Sequence, residues 1–214
     1  AVMVYTDRGL NALSQTYHEL YRERLARGYW RDRTRPILLN NWEATYFDFT
    51  EEKLVEIARK AKETGVELFV LDDGWFGKRC HEKAGLGDWI ANPDRLKNGI
   101  TGLAEKIDAL GMKFGLWFEP EMVNKDSDLY RAHPDWIIQT PMRHASHGRY
   151  QYVLDFSRKE VVDCIYDMMA KILSEAKVSY IKWDMNRSIS ECYSAALPAD
   201  RQGEVYHRYI LGVY

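Results

Sequence analysis

Leu68-Phe69-Val70-Leu71-Asp72-Asp73-Gly74-Trp75 is a short apolar run that stops abruptly at two carboxylates, a glycine and a tryptophan. A strand with one wet face alternates apolar with polar residues. A strand that is apolar throughout is buried on both faces, as in a parallel sheet covered by helices. The pattern recurs on either side. Ile37-Leu38-Leu39 runs into Asn40-Asn41-Trp42-Glu43, and Phe114 to Phe118 into Glu119-Pro120-Glu121. Tyr152-Val153-Leu154 ends at Asp155, and Tyr180-Ile181 leads into Lys182-Trp183-Asp184-Met185-Asn186-Arg187.

Amphipathic helices fill the intervals. In one, Thr50 is placed as N-cap, Glu51 and Glu52 face the positive helix N-terminus, and Leu54, Ile57, Ala58 and Ala61 share a stripe that Gly65 ends. A second carries Leu103, Ile107 and Leu110, with Gly111 behind. A third is expected from Ser157, with Glu160 completing a capping box and Val161, Ile165, Met168, Met169 and Ile172 forming its apolar face. Strands alternating with helices define an α/β fold with a parallel sheet. Five runs spaced roughly 30 to 45 residues apart extrapolate to a large (β/α)8 TIM barrel, of which this chain holds about the first five strand-helix units. The competing doubly wound sheet would place a GxGxxG turn after the first strand, and none is there. Residues 1–35, with Leu10, Leu13, Tyr17, Leu20 and Tyr21 at helical spacing and a polar break ending in Pro36, read as a helix and linker from a preceding domain. Residues 36–214 read as the N-terminal part of the barrel. Both ends look cut, with alanine first and a helix from Gly203 to Tyr214 that lacks a stop signal.

Composition narrows the partners. With 46% hydrophobic and 29% charged residues the chain is of the ordinary globular kind, and no apolar run nears the roughly 20 residues that span a bilayer. A formal net charge of −2 argues against nucleic acid. Cys80, Cys164 and Cys192 form neither a CxxC pair nor a disulfide framework, which favours a reducing, cytoplasmic setting and speaks against a zinc site.

In a barrel the C-terminal strand ends converge on one rim, where active sites lie. Here that rim collects carboxylates and tryptophans. Carboxylates act as acid, base or nucleophile, indole faces stack on sugar C–H surfaces, and no glycine-rich phosphate loop follows any strand, so carbohydrate is the expected small-molecule substrate. Single residues have plainer readings. Asp155 precedes a helix and reads as its cap, Glu119 and Glu121 flank a turn-forming proline, and His81, His133, His144, His147 and His207 have no metal spacing. Asp72, Asp73, Glu119 and Asp184 could hold a divalent cation, but basic neighbours count against it. Lys182 and Asp184, two apart on a strand, point the same way; an ammonium there favours ionised Asp184, as a nucleophile requires. Gly74 lets the backbone turn so that Asp72 and Asp73 both reach the rim.

The motifs Leu71-Asp72-Asp73-Gly74-Trp75-Phe76-Gly77, Asn41-Trp42-Glu43-Ala44, Trp117-Phe118-Glu119-Pro120-Glu121-Met122 and Lys182-Trp183-Asp184-Met185-Asn186-Arg187 resemble the bacterial α-galactosidases of glycoside hydrolase family 36, in order and through essentially the whole chain. The resemblance implies a retaining mechanism without cofactor or metal. In it, Asp184 is the nucleophile and Asp72 and Asp73 bind the galactose O4 and O6 hydroxyls. Trp42 and Trp117 wall the ring, and Lys182, Arg149 and Asn186 hydrogen-bond near its hydroxyls. It implies α-galactosides such as melibiose or raffinose-type sugars as substrates, a possible homo-oligomer in the full-length protein, and an acid/base aspartate beyond Tyr214, which would leave this chain inactive alone. Alternatives are an α-N-acetylgalactosaminidase or galactosyl transferase of the same family, or a non-catalytic sugar-binding barrel.

Overall fold

The computed structural model describes residues 2–214, which divide into two compact units, the first ending at Pro36 and the second running Ile37–Tyr214. In the first unit, helix α1 (Gly9–Leu20) continues through a π-helical turn, Tyr21–Leu25, to a 3-10 turn at Gly28–Trp30. No residue of α1 is buried. The aromatic end is held locally: the Arg33 guanidinium stacks 4.0 Å above the Tyr29 ring and Arg33 Nη1 donates to the Tyr29 hydroxyl at 2.8 Å.

The second unit is built on a parallel sheet. Its strands are β1 (Leu38–Asn40), β2 (Leu68–Leu71), β3 (Lys113–Phe118) and, after two further strands, β6 (Tyr180–Trp183), in the order β1-β2-β3-β6. All pairings are parallel, with Leu39 opposite Phe69, Phe69 opposite Phe114, and Leu116 opposite Ile181. The spatial order follows chain order without reversal, as in a barrel, whereas a doubly wound sheet reverses at its switch point. All four residues of β2 are buried, which is why its sequence is apolar throughout. Gly115 lies between closely packed neighbours: a Cβ there would lie 3.0 Å from both Val70 on β2 and Tyr180 on β6.

Helices cover the arc. Between β1 and β2 lie the short α2 (Trp42–Thr45) and α3 (Glu51–Glu63); α4 (Gly99–Ala109) precedes β3, α6 (Lys159–Glu175) precedes β6, and α7 (Val205–Val213) follows it. Thr50 caps α3 as expected, its hydroxyl accepting from Lys53 N at 3.3 Å, and Leu54, Ala58 and Ala61 are buried. Gly65 and Gly111 take positive φ after α3 and α4. The capping box expected for α6 does not form. Ser157 Oγ donates instead to Asp155, Glu160 pairs with Arg158 Nε at 2.8 Å, and the helix starts at Lys159 without a side-chain cap.

The fourth apolar run departs from expectation. Gln151–Val153 (β5) does not join the parallel sheet; it pairs antiparallel with Met122–Asn124 (β4), Val123 opposite Tyr152. Among the described residues four strands, not five, form the parallel sheet. The reason is connection length. Neighbouring parallel strands need a crossover that is usually a full helix. Between β4 and β5 there is only the five-residue α5 (Asp128–Ala132) and a 3-10 turn at Pro134–Trp136. The burial of β5 alternates accordingly, Tyr152 being less buried than Gln151 or Val153.

Beneath the strand ends lies an aromatic layer of Trp75, Phe76, Trp89, Trp117 and Phe118, all buried. Trp75 and Trp89 lie 6.0 Å apart and Trp89 and Trp117 6.1 Å apart, and Trp75 Nε1 donates to the Trp117 carbonyl at 2.9 Å. Gly74 lets the chain enter this layer from the aspartate pair: its φ is +98°, and a Cβ would meet Arg95 Nη1 at 2.9 Å and Phe47 Cδ1 at 3.0 Å. Gly74→Ala should destabilise the protein by about 1–3 kcal/mol through backbone strain, read as a lower urea midpoint at unchanged slope.

Candidate active site

Each parallel strand delivers polar residues at its C-terminal end. From β1, Asn40 Nδ2 donates to Asp72 Oδ2 at 2.5 Å, and the next residue, buried Asn41, accepts the Asp72 amide on Oδ1 at 2.7 Å. From β6, Lys182 Nζ lies 2.8 Å from the same Asp72 Oδ2. Asp72 is thus bound from strands on either side of it, and Lys182 reaches it past the intervening β3.

The adjacent Asp73 faces elsewhere. Arg79 grips it in a buried ion pair, with Nη2 at 2.8 Å from Oδ2 and Nε at 2.9 Å from Oδ1. The remaining donor of that guanidinium, Nη1, bonds Asn124 Oδ1 at 2.9 Å and the carbonyls of Glu82 and Ala84. Repulsion between the two neighbouring carboxylates is therefore offset by two separate cations. Lys182 serves Asp72, and Arg79 serves Asp73.

Asp184 follows β6 and is half-buried. Trp117 Nε1 and Asn186 Nδ2 donate to its Oδ2 at 3.1 and 2.9 Å, and Met185 N donates to Oδ1 at 3.0 Å. Burial by itself would raise its pKa; these three hydrogen bonds and the charge of Lys182 outweigh it and hold the carboxyl below the ordinary aspartate range. Its backbone amide continues the sheet onto the Phe118 carbonyl at 2.8 Å.

Two carboxylates on the turn after β3 hold the segment around Asp184. Fully buried Glu119 accepts Asn186 N on Oε1 at 2.6 Å and Gln151 Nε2 on Oε2 at 3.1 Å. Burial pushes its pKa up, with nearby Asp184 adding to the rise against hydrogen bonds from Asn186. Glu121 accepts Trp183 Nε1 at 2.8 Å and the Tyr209 hydroxyl at 2.6 Å, which together with burial pushes the Tyr209 phenol upward.

Of the residues singled out from sequence, Asp72, Trp117, Lys182, Asp184 and Asn186 form a cluster at the strand ends made of two hydrogen-bonded groups, Asp72 with Lys182 and Asp184 with Trp117 and Asn186. Asp73 adjoins it but is turned toward Arg79. Trp42 opens α2, half-buried, its ring edge-on to Tyr46 and Phe47 at 5.2 and 5.1 Å; its amide donates to Asn40 Oδ1. Arg149 is exposed at a φ of +52° and makes no hydrogen bond to the cluster. Asp155 is buried and receives the hydroxyls of Ser157 and Ser194, a structural role. Sequence alone points to neither Arg79 nor Gln151, and it marks Asn40 only as part of the polar end of the first run. Arg79 lies in an aperiodic loop, and only the need to neutralise paired aspartates hinted that such a cation exists. Among the described residues no group of three or more histidines, cysteines or carboxylates is placed to hold a metal ion.

A parallel arc of strands with its polar residues gathered at the C-terminal ends defines part of a (β/α)8 barrel. The chain belongs to the melibiase family, whose model matches residues 1–214. It is 60% identical over 213 residues to α-galactosidase AgaA of Geobacillus stearothermophilus and 54% identical to α-galactosidase Mel36A of Lactobacillus acidophilus, covering 100% of this chain and 29% of each relative. The crystal structure of the GH36 α-galactosidase AgaA superposes with a TM-score of 0.95 at 60% identity over 99% of this chain and 30% of that one. A variant of AgaA, at 59% identity and the same TM-score over 99% of this chain and 29% of that one, has been solved in complex with raffinose. The chain thus spans less than a third of the length of these relatives.

The side chains of Arg79 and Asp73 are 2% and 9% exposed, so removing one partner strands a buried charge. Arg79→Met should cost about 3–5 kcal/mol of unfolding free energy, measured by urea denaturation.

Proposed function

We propose that this chain carries the nucleophile side of a retaining α-galactosidase active site, with Asp184 attacking the anomeric carbon of a terminal α-linked galactose. The observation behind this reading is the state of Asp184: a half-buried carboxylate at a strand end, kept ionised by three donors, with no cation seated directly on it. Oδ2 takes two of those donors and Oδ1 only one, which leaves Oδ1 the freer oxygen for attack.

The remaining residues supply recognition. The Asp72–Lys182 pair presents an acceptor and a donor side by side, suited to adjacent sugar hydroxyls. Asp73 offers the lone pairs that Arg79 leaves free, and Trp42 and Trp117 form walls for the ring. Asn186 and, from its exposed loop, Arg149 complete the set of donors. Attack by Asp184 breaks the glycosidic bond as the leaving oxygen takes a proton from a second carboxylic acid, about 5 Å from the first in retaining enzymes. Water then releases galactose from the covalent ester, with the second group acting as base. On the family resemblance this second group lies beyond Tyr214, so the chain alone would not turn over. Raffinose-type α-galactosides are the natural substrates on this reading, and the three free cysteines favour a cytoplasmic setting.

A 5-fluoro-galactosyl fluoride tests the assignment, because fluoride departs without acid help and the ring fluorine slows release of the ester. Mass spectrometry should find the galactosyl adduct on the peptide containing Asp184, and Asp184→Asn should abolish both labelling and turnover. An adduct on another residue, or turnover retained in Asp184→Asn, would sink the proposal.

The pKa shift adds a pH dependence. Because the folded value of Asp184 lies below its unfolded one, the ionised group stabilises the fold above the unfolded value and loses that contribution as pH falls through the folded value. The acidic limb of kcat/KM that reports Asp184 should accordingly lie below about 3.9, the ordinary aspartate value. Asn186→Ala should move that limb upward, as read from a pH–rate profile.

A further inference from the structure

We infer that Glu119 is a positioning residue for the nucleophile, acting through Asn186: a buried carboxylate after β3 that fixes the turn carrying Asp184 without touching substrate. The inference rests on the reading of Asp184 as nucleophile.

The chain of contacts is continuous. Gln151 Nε2, at the start of β5, donates to Glu119 Oε2 at 3.1 Å; Glu119 Oε1 accepts the Asn186 amide at 2.6 Å; and Asn186 Nδ2 donates to Asp184 Oδ2 at 2.9 Å. Among the described residues no other hydrogen bond holds the Asn186 backbone, which lies past the last residue of β6 where the sheet ladder has ended. Glu119 therefore replaces the ladder. On the other side of Asp184, Glu121 Oε1 accepts Trp183 Nε1 at 2.8 Å, so two carboxylates from one turn bracket the nucleophile. Both carboxylate oxygens of each are taken by protein donors, those of Glu119 by Asn186 and Gln151 and those of Glu121 by Trp183 and Tyr209. Glu119 thus acts through the turn that aims Asp184, and galactose binding through Asp72 and Asp73 is left to other contacts.

The side-chain amide of Gln151 makes the idea separable from a simple charge requirement. Its Oε1 is buried and has no partner. If Glu119 becomes glutamine, Oε1 of the new side chain still accepts from Asn186 N, and a flip of Gln151 brings its idle oxygen onto the new amide donor while its own amide nitrogen takes the unpartnered position. Glutamine at this position should therefore work, whereas alanine or a shorter acid should not.

The test uses the protein at the length of its relatives, with p-nitrophenyl α-galactoside as substrate and galactose as competitive inhibitor. Glu119→Ala should lower kcat about 100-fold, the scale of an ångström-sized misplacement of a reacting group, while galactose inhibition, which draws mainly on Asp72, Asp73 and Lys182, weakens by less than about tenfold. Labelling by the 5-fluoro probe should slow in parallel. Glu119→Gln should recover to within about tenfold of the parent, since misplacement is then largely avoided. Glu119→Asp keeps the charge but withdraws the acceptor from Asn186; it should behave like alanine, and it decides the matter if the alanine variant does not fold. Unchanged kcat in the alanine or aspartate variant, or a glutamine variant as impaired as alanine, would overturn the proposal. So would a loss of galactose binding equal to the loss of kcat. Asp184→Asn run alongside separates the two readings: if it stays active the nucleophile assignment has failed, and if it is dead while Glu119→Ala is active only the positioning role has.

Discussion

The ion pair of Lys182 with Asp72 joins two strands that are not neighbours. Lys182 sits at the end of β6 and Asp72 just past the end of β2, with β3 between them. The pair closes over the strand that supplies Trp117 and satisfies the buried Asp72, while the Lys182 side chain keeps part of its surface in solvent. Asp72 is nearly buried, so leaving its charge alone would carry a desolvation penalty of several kcal/mol. Asn40 and Asn41 from the β1 end take up its other needs. One carboxylate thus ties together the ends of three strands, and the geometry of the rim follows from satisfying it.

From that contact outward the site is a sequence of matched charges. Arg79 relieves Asp73, so that the adjacent aspartates do not compete for one cation. Asp184 is served by neutral donors from Trp117, Asn186 and its own following amide, which keep it ionised without covering it. Glu119 and Glu121 are spent inside the protein. Five acids near one rim therefore take three different roles, separated by what each one touches: Asp72 and Asp73 are acceptors paired to cations, Asp184 is a half-buried anion, and Glu119 and Glu121 are buried anchors for backbone and indole.

Much of the scaffold could be read before any coordinates. The unbroken apolar run Leu68–Leu71 could only be a doubly covered strand, and Thr50 with two glutamates behind it could hardly be anything but a helix start. The strand-end motifs located Asp72, Trp117, Lys182, Asp184 and Asn186 because parallel topology forces strand ends together. Tyr152–Leu154 misled because three apolar residues carry too little pattern to tell a central parallel strand from a two-stranded ribbon; the missing crossover helix was the better signal. Ser157 and Glu160 had the spacing of a capping box, yet the buried acid Asp155 competed successfully for the serine hydroxyl. Arg79 and Gln151 reach the site from loops and a ribbon whose course depends on tertiary packing, so no local periodicity announced them.

Trp117 has a second property that follows from its place. Its indole N–H bonds Asp184 directly, while its ring belongs to a layer in which Trp89 and Trp75 lie within excitation-transfer distance. Indole emission responds to a charge placed at its nitrogen. Neutralising Asp184 by a proton removes that charge, and the neighbouring indoles feed the same emitter. The protein therefore contains its own optical probe, in which the state of one carboxylate is written into the colour and yield of its tryptophan light.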